Sequence, residues 1–270
     1  MFALPDLFSV QGRTALVTGG ATGLGRVCAE ALLSAGARVL IASRKAEACE
    51  AVAAELSAIG PCEGFGSTVA SEAGVVALAD ETRRRTGELH ILVNNAGATW
   101  GEPFERFAWK GWERVMSVNV TGLFTLTRDL APMLFAAATP DRPATIVNLG
   151  SVMGHTTQAE NAYSYSASKA AVHHLTRILA AEFAARQVTV NAIAPGPFPS
   201  NMTRFAIGDD AGRARASEAV PMHRVGRPDD LAGTLLYLTG RAGAYTTGAI
   251  LPLDGGMSVA ASRSMFGEGE

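Results

Sequence analysis

Tyr165-Ser166-Ala167-Ser168-Lys169 sets a phenol and an ammonium four residues apart, a spacing that brings both to one face of a helix. A neighbouring cation favours phenolate, so this pairing is expected to draw the tyrosine down from about 10 toward working pH and make it an acid or base. Tyr163 has Ala167 rather than a lysine four residues on, so the register selects Tyr165. Taken alone, such a pair is also what an exposed helix shows by accident. Ser151 follows the apolar run 145–149, at the carboxyl end of an expected strand, where ligands bind in open α/β sheets. Its hydroxyl can hydrogen-bond a substrate oxygen; with no suitably placed histidine and no glycine elbow, it is a poor hydrolase nucleophile. Asn119 is polar within an apolar helical stretch, where it either satisfies a kinked backbone or organises water; by itself it reads as structural.

A second group of residues can hold a phosphate. Gly19, Gly23 and Gly25, with Thr22 and Leu24 between them, lie between the strand 14–18 and a helix over 26–34. Glycines there permit a tight turn and let backbone N–H groups approach a pyrophosphate at the helix N-terminus. A bare tight turn is the simpler reading of three glycines, and the strand before and helix after favour dinucleotide binding over it. The next strand, 38–42, leads into Ser43-Arg44-Lys45 rather than an acidic residue. A carboxylate at that point would accept the ribose 2′-hydroxyl of NAD(H), whereas a hydroxyl and a guanidinium suit a 2′-phosphate. NADP(H) is therefore expected as the preferred cofactor, with NAD(H) possible. Two cations at a helix N-terminus are mildly unfavourable, which gives Arg44 a functional reason to be there.

The elements that position these residues follow from periodicity. Apolar runs at 14–18, 38–42, 91–94, 145–149 and 189–193 alternate with helical patterns at 26–34, 47–58, 111–135 and 166–185. Strands this apolar, separated by helices, imply a doubly wound parallel sheet with helices on both faces and right-handed crossovers. One α/β domain over 1–270 suits this length. Residues 195–220 form the longest interruption and are a candidate substrate lid; 260–270 reads as a polar tail.

Composition excludes more than it assigns. The formal charge of −2 offers no basic excess for nucleic acid or an anionic membrane. Cys28, Cys49 and Cys62 are odd in number and lack ligand spacing, so they read as small buried hydrophobes in a reducing compartment. His155, His173 and His174 have no acidic or thiol partner to complete a metal site, which assigns them to surface or interface positions and no metal to the chain. Without a basic, apolar leader or a run long enough to span a bilayer, a cytoplasmic location is expected.

The motifs TGxxxGxG at Thr18, Asn94-Asn95-Ala96-Gly97, Asn119, Ser151, YxxxK at Tyr165 and Pro195-Gly196 occur in the order of the short-chain dehydrogenase/reductase superfamily, which the chain resembles from about 12 to 258. The resemblance implies a Rossmann-type fold and an oxidoreductase. In it Tyr165 protonates a carbonyl oxygen, Ser151 polarises it, Lys169 binds the nicotinamide ribose, and Asn119 holds a water in a proton relay. It also implies cofactor contacts from Val69, Asn95, Ala96, Gly97, Pro195, Gly196, the Phe198 backbone and Ser200, besides the glycine turn, Ser43 and Arg44. Thr68 stands where the family usually has an aspartate facing adenine. Ser151 and Tyr165 lie 14 residues apart, one more than the family pattern, which a small bulge in the loop 152–162 would absorb. The whole-chain pattern is similar to bacterial 3-oxoacyl reductases, especially those of rhamnolipid synthesis. That implies reduction of a 3-oxoacyl thioester or similar ketone by a homotetramer or homodimer paired through the helices 111–135 and 166–185. An NAD-linked alcohol or sugar dehydrogenase, and a non-catalytic dinucleotide sensor, are the competing readings; the intact Asn119, Ser151, Tyr165 and Lys169 set argues against the sensor.

Overall fold

The computed structural model describes residues 3–157, 161–200 and 202–260. Among them, strands β1 (Thr14–Thr18), β2 (Arg38–Ser43), β3 (Cys62–Gly66), β4 (Ile91–Asn94), β5 (Ala144–Leu149), β6 (Val188–Pro195) and β7 (Ile250–Leu253) form one sheet in the order β3-β2-β1-β4-β5-β6-β7. Every pairing is parallel, with Leu16 opposite Leu40 and Leu92, and Ile146 opposite Val190. The helices are α1 (Leu4–Phe8), α2 (Gly23–Ser34), α3 (Ala46–Leu56), α4 (Glu72–Arg85), α5 (Trp109–Met116), α6 (Leu123–Ala137), α7 (Tyr163–Phe183), α8 (Arg204–Ile207), α9 (Asp210–Glu218) and α10 (Pro228–Thr239).

Strand alternation divides the core in two. Val17, Ile41 and Val93 point to one face and pack with Leu32 of α2, Leu56 of α3 and Leu235 of α10. Leu16, Leu40, Leu92 and Ile146 point to the other, where Leu78 of α4, Leu130 of α6 and Leu179 of α7 cover them. Each fully buried side chain of this size contributes about 1.5–3 kcal/mol, and the continuous apolar character of the central strands is what a sheet covered on both sides requires. This is the doubly wound parallel fold expected from the sequence.

Seven elements went unassigned by periodicity: α1, β3, α4, α8, α9, α10 and β7. β3 is an edge strand whose Glu63, Gly64 and Gly66 carry no strand signature. α4 is polar and leans on its ends: the Ser71 hydroxyl accepts from the Gly74 amide, and Arg83, Arg84 and Arg85 occupy the last turn. α10 opens with Pro228, and the Asp230 carboxylate accepts from the Arg227 amide while pairing with both terminal nitrogens of Arg224 at 2.6 and 2.9 Å. The expected helix 111–135 is two helices joined by a π-helical turn at Ser117–Gly122. The helix expected at 166–185 begins earlier, at Tyr163, and gives way at its end to a 3₁₀ turn, Ala184–Arg186. Pro195 closes β6, and the candidate lid contains α8 and α9 rather than a bare loop. Beyond residue 260 the expected tail lies outside the described residues.

Candidate active site

The glycine turn joins β1 to α2. Gly19 and Gly23 lie in the left-handed region, at φ 68° and 54°, and a Cβ on Gly25 would stand 2.3 Å from the Gly19 carbonyl oxygen. The following strand end straps this turn. The Thr18 hydroxyl accepts from the Asn95 and Ala96 amides, both at 3.0 Å, and the Asn95 side chain donates to the carbonyls of Thr18 and Gly19 at 2.9 and 3.3 Å. The Asn95 amide thus shapes the cradle through its backbone. Thr22 precedes the first helical residue without a side-chain bond to the helix's first N–H groups, which leaves those donors facing the turn.

At the end of β2, Ser43 is half-buried and donates to the Lys45 carbonyl at 3.4 Å; Arg44 is exposed beside it. Past β3, the Thr68 hydroxyl is used locally, accepting from the Ala70 amide. Val69 is buried and its carbonyl abuts Gly122, where a Cβ would come within 2.0 Å. Val69, and not Thr68, is therefore the residue that meets the π turn.

Asn119 sits in that turn. Its Oδ1 accepts from the Ala98 amide at 2.8 Å, and its Nδ2 donates to the Ala98 carbonyl and to the Ser168 hydroxyl, both at 2.9 Å. The side chain holds the chain after Gly97 against α7, the kinked-backbone role open to it from sequence. A buried amide relay runs beneath: Asn94 donates to Thr127 and to Asn148, and Asn148 donates to Thr176.

Ser151, Tyr165 and Lys169 come together at the carboxyl end of β5. Ser151 is buried and extended, at φ −168° and ψ 152°, and its hydroxyl accepts from the Met153 amide while facing the Tyr165 phenol. Lys169 Nζ donates to the Leu149 carbonyl at 2.6 Å and lies 5.5 Å from the centre of the Tyr165 ring. The expected downward shift of Tyr165 is not what this packing produces. Burial pushes the phenol above its ordinary value, opposed by the Ser151 hydroxyl, and burial also lowers Lys169 to about 8. Desolvation dominates the phenol, with the Ser151 hydroxyl opposing it, while the Lys169 ammonium is engaged with the Leu149 carbonyl.

The start of the segment 195–220 packs against the glycine turn. Gly196 packs on Asp254, Phe198 is buried, and Ser200 lies so close to the glycine turn that a Cβ on Gly23 would stand 3.2 Å from its own Cβ. Thr203, which sequence reasoning passed over, ties this segment: its hydroxyl donates to the Phe198 carbonyl at 2.7 Å, accepts from the Ser200 amide and sits 3.0 Å from the Ser200 hydroxyl. Of the three histidines, His155 and His174 are exposed as expected, but His173 is buried against Ser151, because it falls on the inward face of α7. Among the described residues no cluster of three His, Cys, Asp or Glu side chains is spaced for a metal. Cys28 and Cys49 are buried and Cys62 half-buried, all unpaired.

A glycine turn on a parallel α/β sheet with a Ser–Tyr–Lys group at its carboxyl edge defines a class of nicotinamide-dependent oxidoreductases. Residues 19–258 match the family model described as enoyl-(acyl carrier protein) reductase, and the chain belongs to the short-chain dehydrogenase/reductase superfamily. It is 47% identical over 249 residues to the rhamnolipids biosynthesis 3-oxoacyl-[acyl-carrier-protein] reductase of Pseudomonas aeruginosa, covering 92% of this chain and 97% of that one. It is 36% identical over 254 residues to the galactitol 2-dehydrogenase (L-tagatose-forming) of Cereibacter sphaeroides, covering 94% and 98%. The solved Pseudomonas aeruginosa RhlG/NADP active-site complex superposes with a TM-score of 0.92 at 46% identity, over 94% of this chain and 99% of that chain.

Proposed function

We propose that this chain reduces the ketone of a 3-oxoacyl thioester, or a similar ketone, to a secondary alcohol with NADP(H). When bound, the reduced nicotinamide supplies the hydride; the protein supplies position and a proton. The glycines at 19, 23 and 25 and the uncapped start of α2 fit a pyrophosphate, and exposed Arg44 with Ser43 beside it fits a ribose 2′-phosphate. Thr22, Leu24, Val69, Asn95, Ala96, Gly97, Pro195, Gly196, Phe198 and Ser200 complete the cofactor groove, with residues 195–220 as its lid.

The observation that carries the reading is the meeting of the Ser151 hydroxyl and the Tyr165 phenol beside that groove. Ser151 hydrogen-bonds the substrate carbonyl oxygen. As charge develops on that oxygen, the Tyr165 O–H bond breaks and its proton moves to it. A phenol whose pKa burial has raised is protonated at neutral pH, the form an acid in a reduction needs. Lys169 supports the phenol from beneath and is placed to reach the nicotinamide ribose. Asn119 keeps the π turn and Ser168 in register with Tyr165.

The substrate is supported by the 47% identity to a reductase of 3-oxoacyl-carrier substrates, and the cofactor by the NADP complex of the 46% identical structure. A panel of acetoacetyl thioesters, simple ketones and polyols, each offered with NADPH, NADH and their oxidised forms, tests both. Thioester reduction with NADPH is expected; turnover confined to polyols with NAD would overturn it. Tyr165→Phe is expected to abolish turnover while cofactor binding, read by fluorescence, persists.

For location and assembly we place the chain in the cytoplasm, as a homotetramer or homodimer paired through α5, α6 and α7. Among the described residues no helix is long and apolar enough to cross a membrane. Phe124 on α6 and Ile178 on α7 stand 41% and 46% exposed, apolar surface of the kind interfaces cover. Light scattering on the purified chain checks this, and a monomer at micromolar concentration would refute it.

A further inference from the structure

β5 pairs with β6 only as far as the Gly150 amide, which donates to the Ile193 carbonyl at 2.7 Å. The next amide, that of Ser151, leaves the ladder while still buried, and a buried N–H without an acceptor costs about 1–3 kcal/mol. Its acceptor is the imidazole of His173, whose Nε2 lies 3.4 Å away. His173 stands four residues after Lys169 and eight after Tyr165 on α7, so phenol, ammonium and imidazole share one face of a single helix.

The imidazole occupies a slot shaped for it. A Cβ on Gly150 would stand 2.3 Å from Nε2, and one on Gly154 would stand 2.6 Å from Cε1 and 2.8 Å from Nδ1. Both glycines flanking the Ser151 segment are therefore needed for the ring to lie where it does. The His155 ring closes the outer side at a centroid distance of 4.4 Å, and only 3% of His173 is exposed.

We infer that His173 is a positioning residue for Ser151: by accepting the Ser151 amide in a two-glycine slot, it fixes the extended backbone that presents the serine hydroxyl to Tyr165 and the substrate oxygen. The role requires a neutral ring with Nε2 unprotonated and the proton on Nδ1, which is buried beside Gly154 with no hydrogen-bond partner among the described residues. Burial, with the nearby His155, Lys169 and Arg177, lowers His173 to about 4 and keeps the lone pair available at neutral pH. The inference rests on Ser151 orienting the substrate, as proposed above.

A double-mutant cycle on the full-length enzyme separates the two. His173→Leu is expected to lower kcat roughly tenfold with the KM for NADPH unchanged, a coupling of the size contacting residues show. His173→Gln, which restores an acceptor, is expected to recover most of that loss. In a Ser151→Ala background, His173→Leu should change kcat by less than about twofold. If Ser151→Ala lowers kcat and His173→Leu keeps its full effect in that background, or if Leu serves as well as Gln, His173 does not act through Ser151. If Ser151→Ala alone leaves kcat intact, the reading of Ser151 fails and this inference falls with it. Should His173→Leu fail to fold, ¹⁵N spectra of histidine-labelled wild-type enzyme decide: the Nδ1–H tautomer is required, and an Nε2–H tautomer overturns the inference.

Discussion

Tyr165 and Lys169 are held by one helix turn, yet burial moves them in opposite directions, the phenol up and the ammonium down to about 8. Four-residue spacing reveals the pair but not its enclosure, so charge proximity alone gives the phenol's shift the wrong sign. The lowered lysine has a consequence for stability. In the unfolded chain the ammonium titrates near its ordinary value of 10.5, so between about 8 and 10.5 the folded state binds fewer protons. Stability from this group therefore rises with pH across that window and is lost as pH falls through about 8. Urea unfolding of wild type and Lys169→Met across pH 7–11 should show wild type gaining on the variant by about 2–3 kcal/mol at the alkaline end; a pH-independent difference would contradict the burial argument. Arg44 carries the cofactor assignment at the same scale. Arg44→Asp removes a charge-assisted phosphate bond and adds repulsion, and is expected to lower the NADPH-to-NADH ratio of kcat/KM by on the order of 10–100-fold. An unchanged ratio would show that Arg44 does not read the 2′-phosphate.

The elements show where sequence patterning suffices and where tertiary context takes over. β1, β2, β4, β5 and β6 were legible because central parallel strands are apolar on both faces, and the glycine turn was legible from its place between β1 and α2. β3 and α4 were not, since a Gly-containing edge strand and an arginine-rich helix are stabilised by capping and by neighbours rather than by their own pattern. The π turn at Ser117–Gly122 was half legible: Asn119 marked an interruption within an apolar helix, and only the structure shows that its three hydrogen bonds fix Ala98 and Ser168. The extra residue between Ser151 and Tyr165 falls in a segment containing left-handed Asn161, while residues 158–160 lie outside those described. His173 was misplaced because the face that Tyr165 and Lys169 define continues to it one turn further on, and only the structure shows that face buried against the Ser151 segment. Asn119→Leu keeps the bulk of the side chain and deletes all three bonds, leaving the Ala98 amide and carbonyl without these partners. It should lower stability by about 2–4 kcal/mol in urea and reduce kcat more than KM. A variant with wild-type kcat would show that the turn needs no polar clasp.

Across the whole molecule the two ends of the sheet are built for different work. The carboxyl end carries Ser151, Tyr165, Lys169 and the glycine turn, with Ser200 resting against that turn. The amino end is closed by Arg13, whose buried guanidinium donates to the carbonyls of Thr239, His90 and Pro143 at 3.1, 3.3 and 2.5 Å. One side chain thereby ties the start of β1 to the end of α10 and to the residues preceding β4 and β5. Burial, with Arg142 nearby, lowers Arg13 to about 10, so it remains charged at neutral pH and its hydrogen bonds to the three carbonyls are charge-assisted. If chemistry and scaffold are segregated in this way, loss of the staple should be felt as stability and not as rate. Arg13→Met fills similar space but withdraws these donors, and is expected to lower unfolding free energy by about 2–4 kcal/mol, on the order of 5–15 °C in Tm. At 25 °C kcat and both KM values should stay within about twofold of wild type, since a change confined to the far end of a rigid sheet leaves the site geometry alone. A drop in kcat without a drop in Tm would mean that the amino end communicates with Tyr165 through the strands, and that the two ends do not work independently.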